Sequence, residues 1–259
     1  MSRRFASLVM LVLAATAASA GDRDADAGAL RISQSAIGHV LGEYSLTDQD
    51  GRPLQVSSLR GRPLLVSLVY TECYYICSGL TLHLRDVVRM ARQTLGERSF
   101  AVLTVGFDTA HDTPQRMRAY GRERGIASPD WHFASADAAT LRRLTNDVGF
   151  TWSATPGGFD HVAQVTVIDA TGRIVQQVYG QEFAPPALIE PLKQLVWGGE
   201  VRRGGVRGIL DRVNLLCVVY DPSVGRYRFD YSMLVDAFPG VLVLMIAGAG
   251  LLLAARRPR

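Results

Sequence analysis

Cysteine is scarce: the chain has three among 259 residues. That excludes a scaffold built on disulfides and leaves one thiol over, whatever the other two do. Charge of one sign is scarce too. The formal net charge is +4, with 28 Lys and Arg against 24 Asp and Glu, and the arginines are scattered without forming a stripe. In the absence of any nucleic-acid-binding motif, this argues against a nucleic-acid partner. No internal repeat is present, which excludes a repeat architecture. The length suits one ordinary domain with extensions, or two small domains.

Two of the three cysteines lie close together, and the chain is organised around them. Leu64–Tyr70 is an almost unbroken apolar run, as expected of a central strand buried on both faces. It gives way to Thr71-Glu72-Cys73-Tyr74-Tyr75-Ile76-Cys77-Ser78. A helical stripe follows at Leu80, Leu84, Val87, Val88, Ala91 and Leu95, closed by Gly96. A helix beginning near Tyr74 puts positions 73 and 77 one turn apart, with both sulfurs on one side. Its N-terminus favours thiolate over thiol through unpaired N–H groups and partial positive charge. Such a pair suits either disulfide exchange or a soft metal ion.

Both ends carry membrane signals. Met1–Ala20 has Arg3 and Arg4, an apolar run from Leu8 to Ala18 and a small-residue ending, Ala18-Ser19-Ala20, which reads as a secretory signal peptide. Residues 21–35 read as a flexible leader, with folding expected to start near Ile37–Val40. Ala237–Ala255 carries no charge, and about 19 residues at ~1.5 Å each are enough to cross a bilayer. The arginines in the stub 256–259 favour a cytoplasmic C-terminus. The expected topology is a single-pass protein of the bacterial inner (plasma) membrane with a C-terminal anchor. Its main domain faces the periplasm or exterior, an oxidising compartment.

Between these ends the pattern predicts an α/β domain over 36–197. Tyr44–Thr47 and Leu54–Val56 read as short strands around Asp48–Gly51, and Phe100–Phe107 as a second buried strand. Thr113-Pro114 opens a helix to about Arg124. Trp131–Phe133 reads as a strand, Asp137–Val148 as a helix and Phe150–Gly158 as an irregular loop. Val162–Asp169 and Arg173–Tyr179 form a hairpin, followed by a closing helix over Pro185–Trp197. This order is that of a thioredoxin-like fold with extra N-terminal strands. Residues 198–236 read as a linker and a membrane-proximal hairpin, Leu215–Tyr220 with Arg226–Met233.

Three segments, taken together and in order, resemble the Sco/SenC family. They are Val69–Cys77, then Gly106-Phe107-Asp108 with His111-Asp112-Thr113-Pro114, and then Phe159-Asp160-His161 followed by Val167-Ile168-Asp169 and Gly172-Arg173. The resemblance spans roughly Ala36 to Trp197. It implies a membrane-tethered copper protein that helps assemble the binuclear copper A site of cytochrome c oxidase. The implied partners are the oxidase subunit carrying that site and a thiol reductant or upstream copper donor. By match, the copper ligands are Cys73, Cys77 and His161, a soft set that suits Cu(I) over hard cations. Some family members also reduce disulfides, so a thiol–disulfide oxidoreductase acting through Cys73 and Cys77 is the alternative. Two features differ from the family pattern. Tyr74 and Ser78 stand where proline usually follows each cysteine, and the anchor is C-terminal where the family's is usually N-terminal.

Other candidates receive plainer readings. Asp160, just before His161, is expected to orient its ring. Asp108 and Asp112 end a strand and cap a helix. His39, His83 and His132 read as packing or surface residues, and His111, in a loop after a central strand, is a lesser candidate for helping at the site. Trp152 and Phe159 read as loop packing, and Cys217 as an inert thiol.

Overall fold

The structure is a computed structural model and describes residues 27–73, 76–198, 218–221 and 226–229. Two compact units divide the chain, the first ending at Val196 and the second starting at Trp197.

The first unit is organised on two strands, β3 (Leu64–Val69) and β4 (Ala101–Gly106), buried at every position. Burial on both faces accounts for their apolar runs. The two polar residues in these strands satisfy each other. Ser67 Oγ lies 3.0 Å from Thr104 Oγ1, which also accepts a hydrogen bond from Trp131 Nε1 at 3.0 Å. Five further strands complete the sheet: β1 (Ser45–Asp48), β2 (Pro53–Gln55), β5 (Trp131–Ser135), β8 (Gln164–Ile168) and β9 (Ile174–Tyr179), in the order β2-β1-β5-β4-β3-β8-β9. Strands β3, β4 and β5 run parallel, and the other neighbours are antiparallel.

Parallel neighbours need crossovers. Helix α2 (Ile76–Leu95) links β3 to β4, and α3 (Pro114–Glu123) links β4 to β5. Gly96, at φ 103°, ends α2 with its N–H on Arg92 O. Thr113 caps α3, accepting from Arg116 N at 3.3 Å. Asp137 caps α4 (Ala138–Asp147) through the N–H groups of Ala139 and Thr140. Helix α5 (Pro186–Lys193) passes into a π-helical turn, Gln194–Gly198. The mixed α/β thioredoxin-like order expected from the sequence is present.

Two segments differ from expectation. Residues 27–35, inside the expected flexible leader, form a helix, α1. Buried Ser33 ties it to the sheet edge: its hydroxyl accepts from Tyr179 Oη at 2.9 Å, and its carbonyl from Gln177 Nε2 at 3.4 Å. A bridge between Val40 and Arg173 extends the attachment. Secondly, the expected loop Phe150–Gly158 contains the first strand of a separate hairpin, β6 (Trp152–Thr155) with β7 (Gly158–His161), pairing Trp152 with His161. Its turn needs a glycine. Gly158 has φ +125°, and a Cβ there would lie 2.6 Å from the Tyr70 hydroxyl.

In the second unit, β10 (Val218–Asp221) pairs antiparallel with β11 (Arg226–Phe229), and the Tyr220 and Tyr227 ring centroids stand 5.3 Å apart. The expected signal peptide, most of the 198–236 linker, Cys217, the span 237–255 and its stub lie outside the described residues. Among the described residues no helix is long and apolar enough to cross a membrane.

Helix α3 meets β5 at a glycine. A Cβ on Gly121 would lie 2.6 Å from the buried Phe133 ring. Gly121→Ala gains about 1 kcal/mol of helix propensity. Overpacking a fixed aromatic ring costs about 1–3 kcal/mol, so packing wins. The variant is expected to melt a few degrees lower in a thermal unfolding scan, and a rise in midpoint would show that the helix stands off the sheet.

Candidate functional site

The site forms where β3 ends and α2 begins. Tyr70 and Thr71 leave the sheet, Cys73 N–H donates to Tyr70 O at 3.1 Å, and Cys77 lies in the first turn of α2. Both cysteines are buried, at 7% and 1% exposure, and both are unbridged. The free N–H of Cys77 donates to Cys73 Sγ at 3.2 Å, so a sulfur fills the role a capping oxygen usually takes. No acidic residue in the first turn of α2 competes for that positive end.

The hairpin carries His161 onto this corner. Its Nε2 lies 3.3 Å from Cys77 Sγ, and its Nδ1 faces Val162 O at 3.3 Å. The Val162 carbonyl holds Nδ1 on the side away from the sulfur and so turns Nε2 towards Cys77. Asp160, expected to orient the ring, is exposed and paired with Ser153 across the hairpin; the Val162 carbonyl takes that role. Aromatic rings hold the imidazole. Its centroid lies 5.3 Å from Phe107, 5.5 Å from Phe150 and 6.1 Å from Tyr70. Phe159 packs edge-on against Tyr70 and Phe107, while Trp152 stacks on Phe150. Phe159 and Trp152 thus serve as packing, as expected, but the packing is that of the histidine.

The two thiols are driven apart electrostatically. Hydrogen bonding from Cys77 lowers the Cys73 pKa far below the ordinary thiol range, against the opposing effect of burial; His161, the Cys77 N–H and Tyr70 add to the lowering. Cys77 moves the opposite way, raised by its hydrogen bond to Cys73 and by burial. The Cys77 N–H aimed at the Cys73 sulfur makes Cys73 the more acidic thiol of the pair.

Asp112 supports the loop from below. It is 2% exposed, and its Oδ1 accepts from Thr71 N at 2.8 Å and Thr71 Oγ1 at 2.7 Å, while Oδ2 accepts from Asp108 N at 2.9 Å. Burial raises its pKa against these bonds. The expected helix cap falls to Thr113, and Asp112 instead joins the loops after β3 and β4. Tyr120 was also missed: its hydroxyl donates to Cys77 O at 3.0 Å and lies 2.8 Å from Thr81 Oγ1. His111 bonds Asp108 at the surface, and His83 contacts Phe183 O, both away from the sulfurs.

Among the described residues no group of three or more His, Cys, Asp or Glu side chains forms a ready-made metal cage. The three soft donors instead satisfy one another. Their chemistry fits a soft, low-coordinate ion: two sulfurs and an imidazole nitrogen turned towards them, with aromatic rings around the histidine.

The chain is similar to known proteins. A relative from Bacillus subtilis, an SCO1 protein homolog, is 22% identical over 98 residues, covering 38% of this chain and 49% of its own. The matched segment spans about half the length of the relatives compared. Among solved structures, Bradyrhizobium japonicum ScoI with copper bound is 24% identical with a TM-score of 0.52, covering 60% of this chain and 99% of that one. BsSco, a member of the Sco family of cytochrome c oxidase assembly proteins in which a disulfide switch was identified, is 16% identical with a TM-score of 0.54, covering 61% and 95%. These two likenesses establish the fold. The sequence profile of SCO1/SenC matches residues 33–197, more than half of the chain, and the chain belongs to that family.

Proposed function

We propose that this chain is a copper metallochaperone that binds copper through Cys73, Cys77 and His161 for assembly of the binuclear copper A site of cytochrome c oxidase. The observation that carries this reading is the approach of His161 Nε2 to Cys77 Sγ at 3.3 Å. A redox couple has no need of a distant histidine held by a dedicated hairpin. Copper is the cargo. It enters as Cu(I), the Cys73 thiolate is the first donor, and the Cys77 proton leaves as the second sulfur ligates. Thiolates of the acceptor subunit then displace the donors one at a time, so no free ion is released. The sequence signals at both ends support placing the domain outside the cytoplasm, tethered to the bacterial inner membrane by residues 237–255. A thiol reductant or upstream copper donor would keep the pair reduced and loaded.

The second reading, thiol–disulfide exchange with partner cysteines, is favoured by the thiolate on Cys73. The sequence spacing of the pair favours it less, because a typical oxidoreductase has two residues between its cysteines and this chain has three.

The full chain, reduced and loaded anaerobically in detergent, is expected to retain stoichiometric Cu(I). Cys73→Ala, Cys77→Ala and His161→Ala are each expected to lose it in metal analysis. Unchanged copper in His161→Ala would remove that residue from the set, and a copper-free wild type with an active dithiol would reverse the order of the two readings.

The split between the thiols predicts how they react with pH. A folded-state pKa held below the free-thiol value keeps Cys73 anionic through mildly acidic pH, whereas Cys77 stays protonated. Alkylation mapped by mass spectrometry at pH 6 is expected to label Cys73 well ahead of Cys77. The Cys73 rate should change little between pH 6 and 8, where an unperturbed thiol gains about tenfold per unit. Equal labelling, or an ordinary pH slope at Cys73, would refute the split.

A further inference from the structure

Ser78 occupies a position where the family resemblance expects proline, and it gives the first turn of α2 a hydroxyl that a proline ring lacks. That hydroxyl accepts a hydrogen bond from Arg124 Nη2 at 3.2 Å. Arg124 is the residue that ends α3, and its Nη1 donates to Tyr120 O at 3.0 Å. Its guanidinium carbon lies 3.4 Å from the Tyr120 ring centroid, close enough for a strong cation–π contact. The side chain is 11% exposed, and its Nε is buried with no hydrogen-bond partner. The carboxylate beside it belongs to Glu123, at 3.7 Å and 73% exposed, so that pairing is solvent-screened and weak.

A buried cation with an orphan N–H and only a weak counter-ion is a stability penalty, and such penalties persist where a site uses them. Here the contacts lead to the cysteines. Beneath the guanidinium, the Tyr120 hydroxyl meets Cys77 O at 3.0 Å, and Thr81 Oγ1 donates to the same carbonyl at 2.8 Å. Cation, ring, hydroxyl and the second cysteine form one packed column.

We propose that Arg124 is a positioning residue that clamps the first turn of α2 through Ser78 and Tyr120 and so holds Cys77 in place as a metal ligand. The inference rests on the copper reading above. A planar guanidinium that holds the Ser78 hydroxyl and covers the Tyr120 ring fixes the turn that carries Cys77.

The test is Cu(I) affinity of the full chain in detergent, measured anaerobically by competition with a chromogenic Cu(I) chelator and read beside thermal unfolding. Arg124→Gln removes the fork and the ring contact and is expected to weaken Cu(I) binding about tenfold, the scale of losing an outer partner of a metal ligand. Arg124→Lys keeps the charge but loses the planar fork, and is expected to recover little of that loss. Ser78→Ala removes only the anchor, so a smaller loss is expected from a variant that keeps the fold intact. Full recovery in Arg124→Lys would mean that charge and not the clamp acts, and would overturn the positioning role. Unchanged affinity in Arg124→Gln and Ser78→Ala would overturn the inference while leaving the copper reading standing. A wild type that takes up no Cu(I) would overturn both.

Discussion

The bond from the Cys77 N–H to the Cys73 sulfur is the contact on which the rest of the site depends. A helix that begins in a buried corner exposes N–H groups that water cannot reach, and something must accept from them. Oxygen caps α3 and α4, through Thr113 and Asp137. At α2 the acceptor is sulfur, and it works best as a thiolate. The helix start and the anionic cysteine therefore stabilise each other. The partner thiol one turn along keeps its proton, because a second negative charge in the same buried space is opposed by the first.

That arrangement can exist only at the end of a strand that is itself immobile. Strand β3 is buried at all six positions and paired on both sides. Its end is further fixed by Asp112, which binds the loops after β3 and β4 in one carboxylate. Gly106 makes this approach possible: a Cβ there would lie 2.4 Å from that of Asp112. His161 reaches the site by a different route. Its hairpin lies outside the main sheet, and aromatic contacts with Tyr70, Phe107 and Phe150 position the ring. Two donors are thus built into the rigid frame, and the third sits on a separately paired element that presses against it. A site that must accept a metal and later yield it to a partner is served by that division.

Much of this could be read in the sequence because burial on both faces leaves a strong mark. Strands β3 and β4 could hardly be other than apolar runs, and the stripe of α2 follows from one side facing the sheet. The cysteine pair was legible from its spacing at that junction, and His161 from the family resemblance of Phe159-Asp160-His161. What escaped lies where burial is partial. Strand β6 is mostly exposed, with residues such as Ser153, Ala154 and Thr155 that carry no alternation, so it read as loop. Helix α1 attaches through Ser33, a small polar residue whose hydrogen bonds come from Tyr179 and Gln177, about 145 positions away, and no local pattern announces such a contact. Asp112 was hidden by the cap beside it, since an Asp before Thr-Pro looks like part of the cap.

The position after the second cysteine shows why a substitution inside a motif is best read through its neighbours. Considered alone, a serine in place of proline frees a backbone N–H and relaxes φ near a ligand, which suggests a looser site. In the fold the opposite holds. The serine hydroxyl receives Arg124, the arginine covers Tyr120, and Tyr120 secures the carbonyl of Cys77, so the turn that proline would stiffen covalently is held by three side chains. The two solutions are not equivalent electrostatically. Proline brings no charge, whereas this clamp sets a guanidinium against a helix turn that already favours anions. Stiffness, which the usual motif takes from a proline ring, comes here together with a positive charge through Arg124, twelve positions past the Asp112 that anchors the other end of the same loop.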